Sequence, residues 1–294
     1  MRHARWIVMA TVAVPMLALA QQDFSKVEIR TVALRGGTHL LTGAGGNVLA
    51  SVGTDGVFLI DDQYAPLTDR IVAALAKLSD QPPRFVINTH WHGDHSGGNE
   101  NLGKAGAVIV AHDNVRKRMR AGQMLRGERV PPASFDALPV LTFASDVSLH
   151  LNGDAAHVWH VAHAHTDGDS LVKFEQANVL HMGDIYFNGL YPFIDAESGG
   201  SIGGVLAAID RGLALSDAET LVVPGHGPVS NRAELAAYGA MLKGYRDRIA
   251  ALKHAGKSLA EVVATKPTEA TDEALGKAFI KPDELVTAIY STLP

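Results

Sequence analysis

The sequence predicts an α+β / α/β fold of mixed β-sheets with helices on their outer faces. Three observations predict it. Short apolar, β-branched runs alternate with segments of helical period, a block of hairpin-like strands lies between 139 and 182, and no linker, repeat or low-complexity tract breaks the chain. A single large core is therefore expected, with a helical piece added at its end.

The elements follow in order. Residues 1–20 read as a signal peptide: Met1-Arg2-His3-Ala4-Arg5 supplies a basic start, Trp6 to Ala20 carry no charge, and Ala18-Leu19-Ala20 gives the small-residue cleavage site. Cleavage is expected after Ala20, leaving about 274 residues in the periplasm or outside the cell with no stable membrane anchor. Gly56-Val57-Phe58-Leu59-Ile60 reads as a strand before a helix near 66–79, Phe85 to Asn88 as a second strand, and Ala107 to Ala111 as a third before a helix near 113–121. Strands are expected near 139–143, 147–151, 155–161, 170–175 and 178–182, then a helix near 202–215, the strand Thr220-Leu221-Val222-Val223 and a long helix from about 231 to 252. The tail from about 258 reads as two helices interrupted at Pro267 and Pro282 and packed on the core.

Composition excludes several functions. Loss of Arg2 and Arg5 with the leader moves the formal charge from −5 to −7, and Arg116, Lys117, Arg118 and Arg120 are the sole basic knot. Nucleic-acid binding needs clustered cations to displace counterions, so that role is set aside, and the knot is read with Val115, Met119 and Met124 as the solvated face of a short helix. The chain has no cysteine, so any metal must be held by histidine and carboxylate.

One segment carries chemistry. His90-Trp91-His92-Gly93-Asp94-His95 packs three histidines and a carboxylate into six residues, after the apolar run Phe85-Val86-Ile87 and before Ser96-Gly97-Gly98-Asn99. At a strand end side chains alternate with period two, so His90 and His92 can meet one ion, and the next turn carries Asp94 and His95 to a neighbouring point. Three later segments repeat a strand end, a ligand-type residue and a glycine: Ala162-His163-Ala164-His165-Thr166-Asp167-Gly168-Asp169, Leu180-His181-Met182-Gly183-Asp184 and Val222-Val223-Pro224-Gly225-His226-Gly227.

Together these segments resemble the metallo-β-lactamase fold superfamily, whose members carry His-x-His-x-Asp-His followed by a His, an Asp or Cys, and a His. The resemblance covers most of the mature chain and implies a four-layer αββα sandwich with metals at one edge between two sheets. It implies one zinc held by His90, His92 and His165 and a second held by Asp94, His95 and His226, with Asp184 bridging. His165 is preferred to His163 because the Thr-x-Gly-Asp turn follows it. Asp61 looks like a carboxylate that orients an imidazole or the metal loop without touching metal. His39, His112, His150, His157, His160, His181 and His254 lack this setting, with His112 and His181 expected closest to the site.

The implied function is an exported dinuclear-zinc hydrolase in which a metal-bound hydroxide attacks a carbonyl, with Asp94 positioning the nucleophile and relaying its proton. Flavodiiron members of the superfamily usually have Glu where this chain has His92, which favours hydrolytic zinc. Export favours a β-lactam as the small-molecule substrate, which is placed first, with lactone or thioester hydrolysis as the alternative. Against it, Phe187 stands where lactamases place a carboxylate-binding Lys, and Asp184 resembles the bridging residue of lactone and thioester hydrolases such as glyoxalase II. Tyr186 and Asn188 are candidate oxyanion donors among aromatic residues that follow Asp184, and Gly43-Ala44-Gly45-Gly46-Asn47 is a candidate lid. The alternative class is a non-catalytic metal- or partner-binding protein on the same scaffold, and the sequence sets no oligomeric state.

Overall fold

A computed structural model describes residues 23–294. The leader expected at 1–20 lies outside the described residues. The chain opens with an antiparallel ladder of β1 (Arg30–Ala33), β2 (Thr38–Thr42), β3 (Val48–Gly53) and β4 (Gly56–Ile60). Helix α1 (Thr68–Leu75) returns it to β5 (Pro83–Ile87), parallel to β4. Two short helices, α2 (Gly93–Ser96) and α3 (Asn99–Lys104), lead to β6 (Val108–His112), parallel to β5. After α4 (Asp113–Ala121) a separate hairpin, β7 (Gln123–Leu125) with β8 (Glu128–Val130), stands out before β9 (Leu141–Phe143) completes the first sheet.

The second sheet runs antiparallel through β10 (Asp146–Leu151), β11 (Asp154–His160), β12 (Ser170–Phe174) and β13 (Val179–His181). Helix α5 (Ile202–Ala214) crosses to β14 (Leu221–Val223), parallel to β13, and β15 (Ser230–Asn231) closes the edge. Helices α6 (Arg232–His254), α7 (Leu259–Ala264), α8 (Glu269–Leu275) and α9 (Pro282–Thr292) end the chain.

Side-chain alternation explains the layering. Every residue of β4 is buried: Phe58 and Ile60 face the other sheet, while Val57 and Leu59 pack under α1 with Ile71 and Leu75. Across the sandwich Phe58 stacks on Phe174 of β12 with ring centroids 5.6 Å apart. The outer face of the second sheet presents Leu171, Leu180 and Val222 to Val205 and Ile209 of α5 and Leu235 and Leu242 of α6. Helix, sheet, sheet and helix thus form the four-layer αββα sandwich. No helix among the described residues is long and apolar enough to cross a membrane.

Several local expectations shift. The helix expected at 66–79 is a 3-10 turn at Ala65–Leu67 followed by α1. Strand β1 and the β7–β8 hairpin fall outside the expected elements because they are short and largely exposed, without clean alternation, whereas β2 and β3 are mostly buried and flank the glycine-rich turn at Gly43–Asn47. Pro282 does not interrupt a helix; it starts α9, where its missing N–H costs nothing, so the tail has three helices. In the basic knot Met124 lies on β7, outside the helix, and Arg118 is no solvated side chain: its guanidinium grips Asp167 bidentately at 2.6 and 2.8 Å.

Candidate metal centre

Parallel strands β4 and β5 in one sheet and β13 and β14 in the other all end at the same edge of the sandwich. The loops that follow them deliver Asp61, the 89–95 segment, Asp184 and His226 to one place, and the loop between β11 and β12 adds His165. Convergence of residues so far apart in sequence follows from that topology. His90, His92, His165 and Asp184 form one group of mutually close donor atoms, and Asp94, His95 and His226 form another. Asp184 lies between them, with Oδ1 3.0 Å from His95 Nε2 and Oδ2 3.4 Å from His226 Nε2 and 3.7 Å from His165 Nε2. The strand ladder stops at Ile87, so His90 reaches the site from the bend at 89–91 and His92 from the extended residue that precedes α2.

Outward hydrogen bonds fix the tautomers. His92 Nε2 faces Asp195 Oδ2 at 2.9 Å, His165 Nδ1 faces the Phe193 carbonyl at 2.8 Å, and His95 Nδ1 faces Asp61 Oδ2 at 2.7 Å. Carboxylates and carbonyls only accept, so these nitrogens carry protons, and on His92 and His165 the opposite nitrogens point lone pairs inward. His90 is held the same way: Thr89 Oγ1 donates to Asp61 Oδ2 at 2.8 Å and accepts from His90 Nδ1 at 3.0 Å.

The consequence is a knot of facing lone pairs. His92 Nδ1 and His165 Nε2 sit 2.9 Å apart, each with its own proton committed elsewhere. His90 Nε2 is buried with no hydrogen-bond partner. Such an arrangement is repulsive unless a cation sits between the donors, so the residues present fit a metal. Imidazole and carboxylate donors without thiolate suit zinc.

Protonation follows position. Burial, with neighbouring imidazoles adding to it, drives His90 well below the ordinary histidine range and His165 down to about 4. Burial opposes charge on His95 too, yet the Asp184, Asp94 and Asp61 carboxylates raise it well above that range. His226 is likewise raised against burial to about 9, chiefly by Asp184. Burial works to raise Asp94, but His95 and His226 outweigh it and hold its carboxyl down at about 2. The second group is thus the more highly charged of the two.

Glycines make the fit close. A Cβ on Gly46 would stand 2.1 Å from the His95 ring, and one on Gly225 would stand 2.1 Å from Asp184 Oδ1. The Gly43–Asn47 loop is no free lid: Gly46 N bonds the Asp94 carbonyl, Asn47 N bonds the Gly225 carbonyl, and the Asn47 amide reaches the Pro224 and Gly227 carbonyls. It is a fixed wall. His181 packs behind it, with Nε2 on the Asn47 carbonyl at 3.1 Å. His112 instead donates to the Ala144 carbonyl and stacks on His160, and the exposed His163 turns to the Gly199 carbonyl.

A cavity of about 510 Å³ opens onto Asp94, Asp184, His92 and His226. Its apolar wall is Phe187, Leu190, Tyr191, Phe193 and Phe279, so the loop after Asp184 does line a cleft. The two residues expected to donate there do not. Tyr186 is buried in the core beneath α6, its hydroxyl on Ser230 Oγ and its ring against Tyr238. Asn188 spends its amide on the Pro228 carbonyl. Residue parity explains both, since Phe187 takes the cavity side and its neighbours turn away. Sequence reading also missed Thr89 and Asp195. Thr89 sits beside His90 and was open to notice, whereas Asp195 lies 103 residues from its partner.

A four-layer sandwich with buried imidazoles and carboxylates gathered at one sheet edge defines a protein built to bind metal there. The chain belongs to the metallo-beta-lactamase superfamily, whose family profile matches residues 41–226. A hydroxyacylglutathione hydrolase of Nitrosococcus oceani is 27% identical over 56% of this chain and 57% of its own length. One of Erythrobacter litoralis is 36% identical over 24% of this chain and 28% of its own. The chain thus spans little more than half the length of the first of these relatives and less of the second. Among solved structures, a metallo-beta-lactamase from Pontibacter korlensis superimposes over 74% of this chain and 99% of its own with a TM-score of 0.62 at 20% identity. A stereoselective inverting sec-alkylsulfatase from Pseudomonas sp. covers 90% of this chain and 50% of its own with a TM-score of 0.66 at 17% identity.

Proposed function

We propose that this chain is an exported dinuclear-zinc hydrolase of small acyl substrates, with His90, His92 and His165 holding one zinc, Asp94, His95 and His226 the other, and Asp184 shared. One observation carries the reading: the four imidazoles of the 90–95 and 165 segments each have one nitrogen tied outward, leaving the other free to face its neighbours at the cavity floor. When bound, such a metal pair acidifies a water toward neutrality and polarises a carbonyl.

The chain's own residues do the rest. Asp94 Oδ2, 3.2 Å from His226 Nε2 and open to the cavity, orients the attacking water and takes up its proton. Asp61 and Asp195 keep His95 and His92 in the binding tautomer. The aromatic wall strips water from the acyl group.

Among acyl substrates, lactones and thioesters come first, supported by the carboxylate at position 184 and by relatives named hydroxyacylglutathione hydrolases. β-Lactams are the second reading, supported by the leader-like residues 1–20. Zinc-loaded protein assayed on an acyl thioester, an acyl lactone and a chromogenic cephalosporin, with and without chelator, tests both. Turnover abolished by chelator is expected; turnover indifferent to chelator, or none on all three, overturns the proposal.

A further inference from the structure

We propose that Arg126, at the tip of the β7–β8 hairpin, is the residue by which this cleft recognises a negative charge on its substrate, so that the substrate is an amphiphilic anion: a cleavable acyl group with an apolar portion and a carboxylate. The substrate class rests on the hydrolase reading above. The subsite does not.

Among the described residues lining the 510 Å³ cavity, Arg126 is the one lysine or arginine. Asp94 and Asp184 are turned to the imidazoles, so beyond the donor cluster the guanidinium is the cleft's single attractive charge for an anion. Its position is built. Arg126 and Gly127 form the hairpin turn with φ of +52° and +80°, a left-handed pair that favours Asn-Gly or Asp-Gly, and an arginine is an unusual occupant there. The guanidinium lies 4.7 Å over the Phe279 ring and 5.7 Å from the Phe193 ring, both cavity walls.

Arg126 is also available. Guanidinium carries five donors, and among the described hydrogen bonds Arg126 spends one of them, Nη2 on Glu284 Oε1 at 2.6 Å. Glu284 lines the adjoining groove, away from the metal-facing cavity, and the pair is 39% and 42% exposed. An exposed pair of this kind is easily exchanged or shared, and a substrate carboxylate can take the remaining fork bidentately. The exposed Phe279 and the neighbouring Leu125 offer apolar surface beside it. Charge flanked by apolar wall selects an amphiphilic acid over a neutral one.

A purely structural latch between hairpin and tail would use the same contacts, and Glu284 separates the two roles. The probe is 4-phenylbutanoate against its uncharged amide, titrated calorimetrically into the chelator-treated full chain and again into the zinc-loaded protein. Wild type is expected to prefer the carboxylate by about tenfold or more. Arg126→Ala should abolish that preference and leave the amide unchanged; Arg126→Gly, which suits the left-handed backbone, guards against a folding defect and should do the same. Glu284→Gln should tighten the carboxylate. Loss of binding for both ligands in both the Arg126 and Glu284 variants would establish a latch and overturn the proposal, as would a carboxylate preference that survives Arg126→Ala. Because binding is read without turnover, a hydrolase reading that fails on every acyl substrate leaves this result standing, and active hydrolysis with an indifferent Arg126 sinks the subsite alone.

Discussion

Replacing Asp61 by Asn tests how the donors are set. The position is buried and has a φ of +63°, a left-handed conformation that asparagine tolerates well, so the substitution adds no backbone strain. Asp61 accepts three hydrogen bonds, from Thr89 N at 2.7 Å, Thr89 Oγ1 at 2.8 Å and His95 Nδ1 at 2.7 Å. An amide keeps one accepting oxygen. If that oxygen stays on Thr89 N, the NH₂ faces two donors, and His95 relieves the clash by giving up its Nδ1 proton and keeping the one on Nε2, the atom that faces the metal group. The substituted site then carries a buried unsatisfied donor at a cost of about 1–3 kcal/mol, and orienting contacts of this type are worth roughly 10- to 100-fold in metal affinity. Zinc should be titrated into chelator-treated wild type and Asp61→Asn against a chromophoric competitor, with thermal unfolding followed in parallel. One of the two zinc sites is expected to weaken by one to two orders of magnitude while the fold persists, on the scale given. Wild-type affinity at both sites would refute the argument that outward bonds set the lone pairs.

Other outcomes follow from the same geometry. Asp94→Ala, in the first turn of α2 and partly open to the cavity, should cost turnover at least about a hundredfold with an unchanged unfolding midpoint, judged against general acid–base contributions; near-wild-type rates would remove its role. Zinc loading at pH 7 should release protons from His95 and from His226, raised to about 9, and none from His90 or from His165 near 4. A raised pKa means that protons compete with metal below it, so affinity should climb with pH until His226 passes about 9. Calorimetry in buffers of differing ionisation enthalpy counts those protons, and a count of zero would contradict the assignment. Tyr186→Phe removes the bond to Ser230 Oγ and should lower stability by about 1 kcal/mol while kcat and KM stay within about twofold, since Tyr186 does not line the cavity. A large fall in kcat would restore it as a donor.

Much of this was legible in sequence because the informative residues are local. His90, His92, Asp94 and His95 fall within one loop, and a strand end, a ligand-type residue and a glycine mark the segments that carry Asp184 and His226, whose roles as donors the resemblance to the superfamily implied. The helix at 113–121 was bounded as found, since Val115 and Met119 repeat at helical spacing and Gly122 ends it. What was missed depends on long-range contact. Asp195 meets His92 through a loop no local pattern announces, and Arg126 reaches the cavity on a hairpin of two three-residue strands whose alternation is too brief to read. Tyr186 and Asn188 were credited for being next to a donor residue, but adjacent side chains on extended backbone turn to opposite sides. The tail, expected to pack on the core, does so through α9, and it also brings Phe279 to the cavity mouth and Asp272 to the Tyr191 hydroxyl.

The central claim is that seven side chains enclose two divalent ions at one edge of the sandwich. Anomalous diffraction at the zinc edge from crystals of the zinc-loaded protein tests it directly. Two peaks are predicted, one bounded by His90 Nε2, His92 Nδ1 and His165 Nε2 and the other by Asp94, His95 Nε2 and His226 Nε2, with the Asp184 carboxylate between them. Peaks elsewhere, or none at either group, would contradict the account.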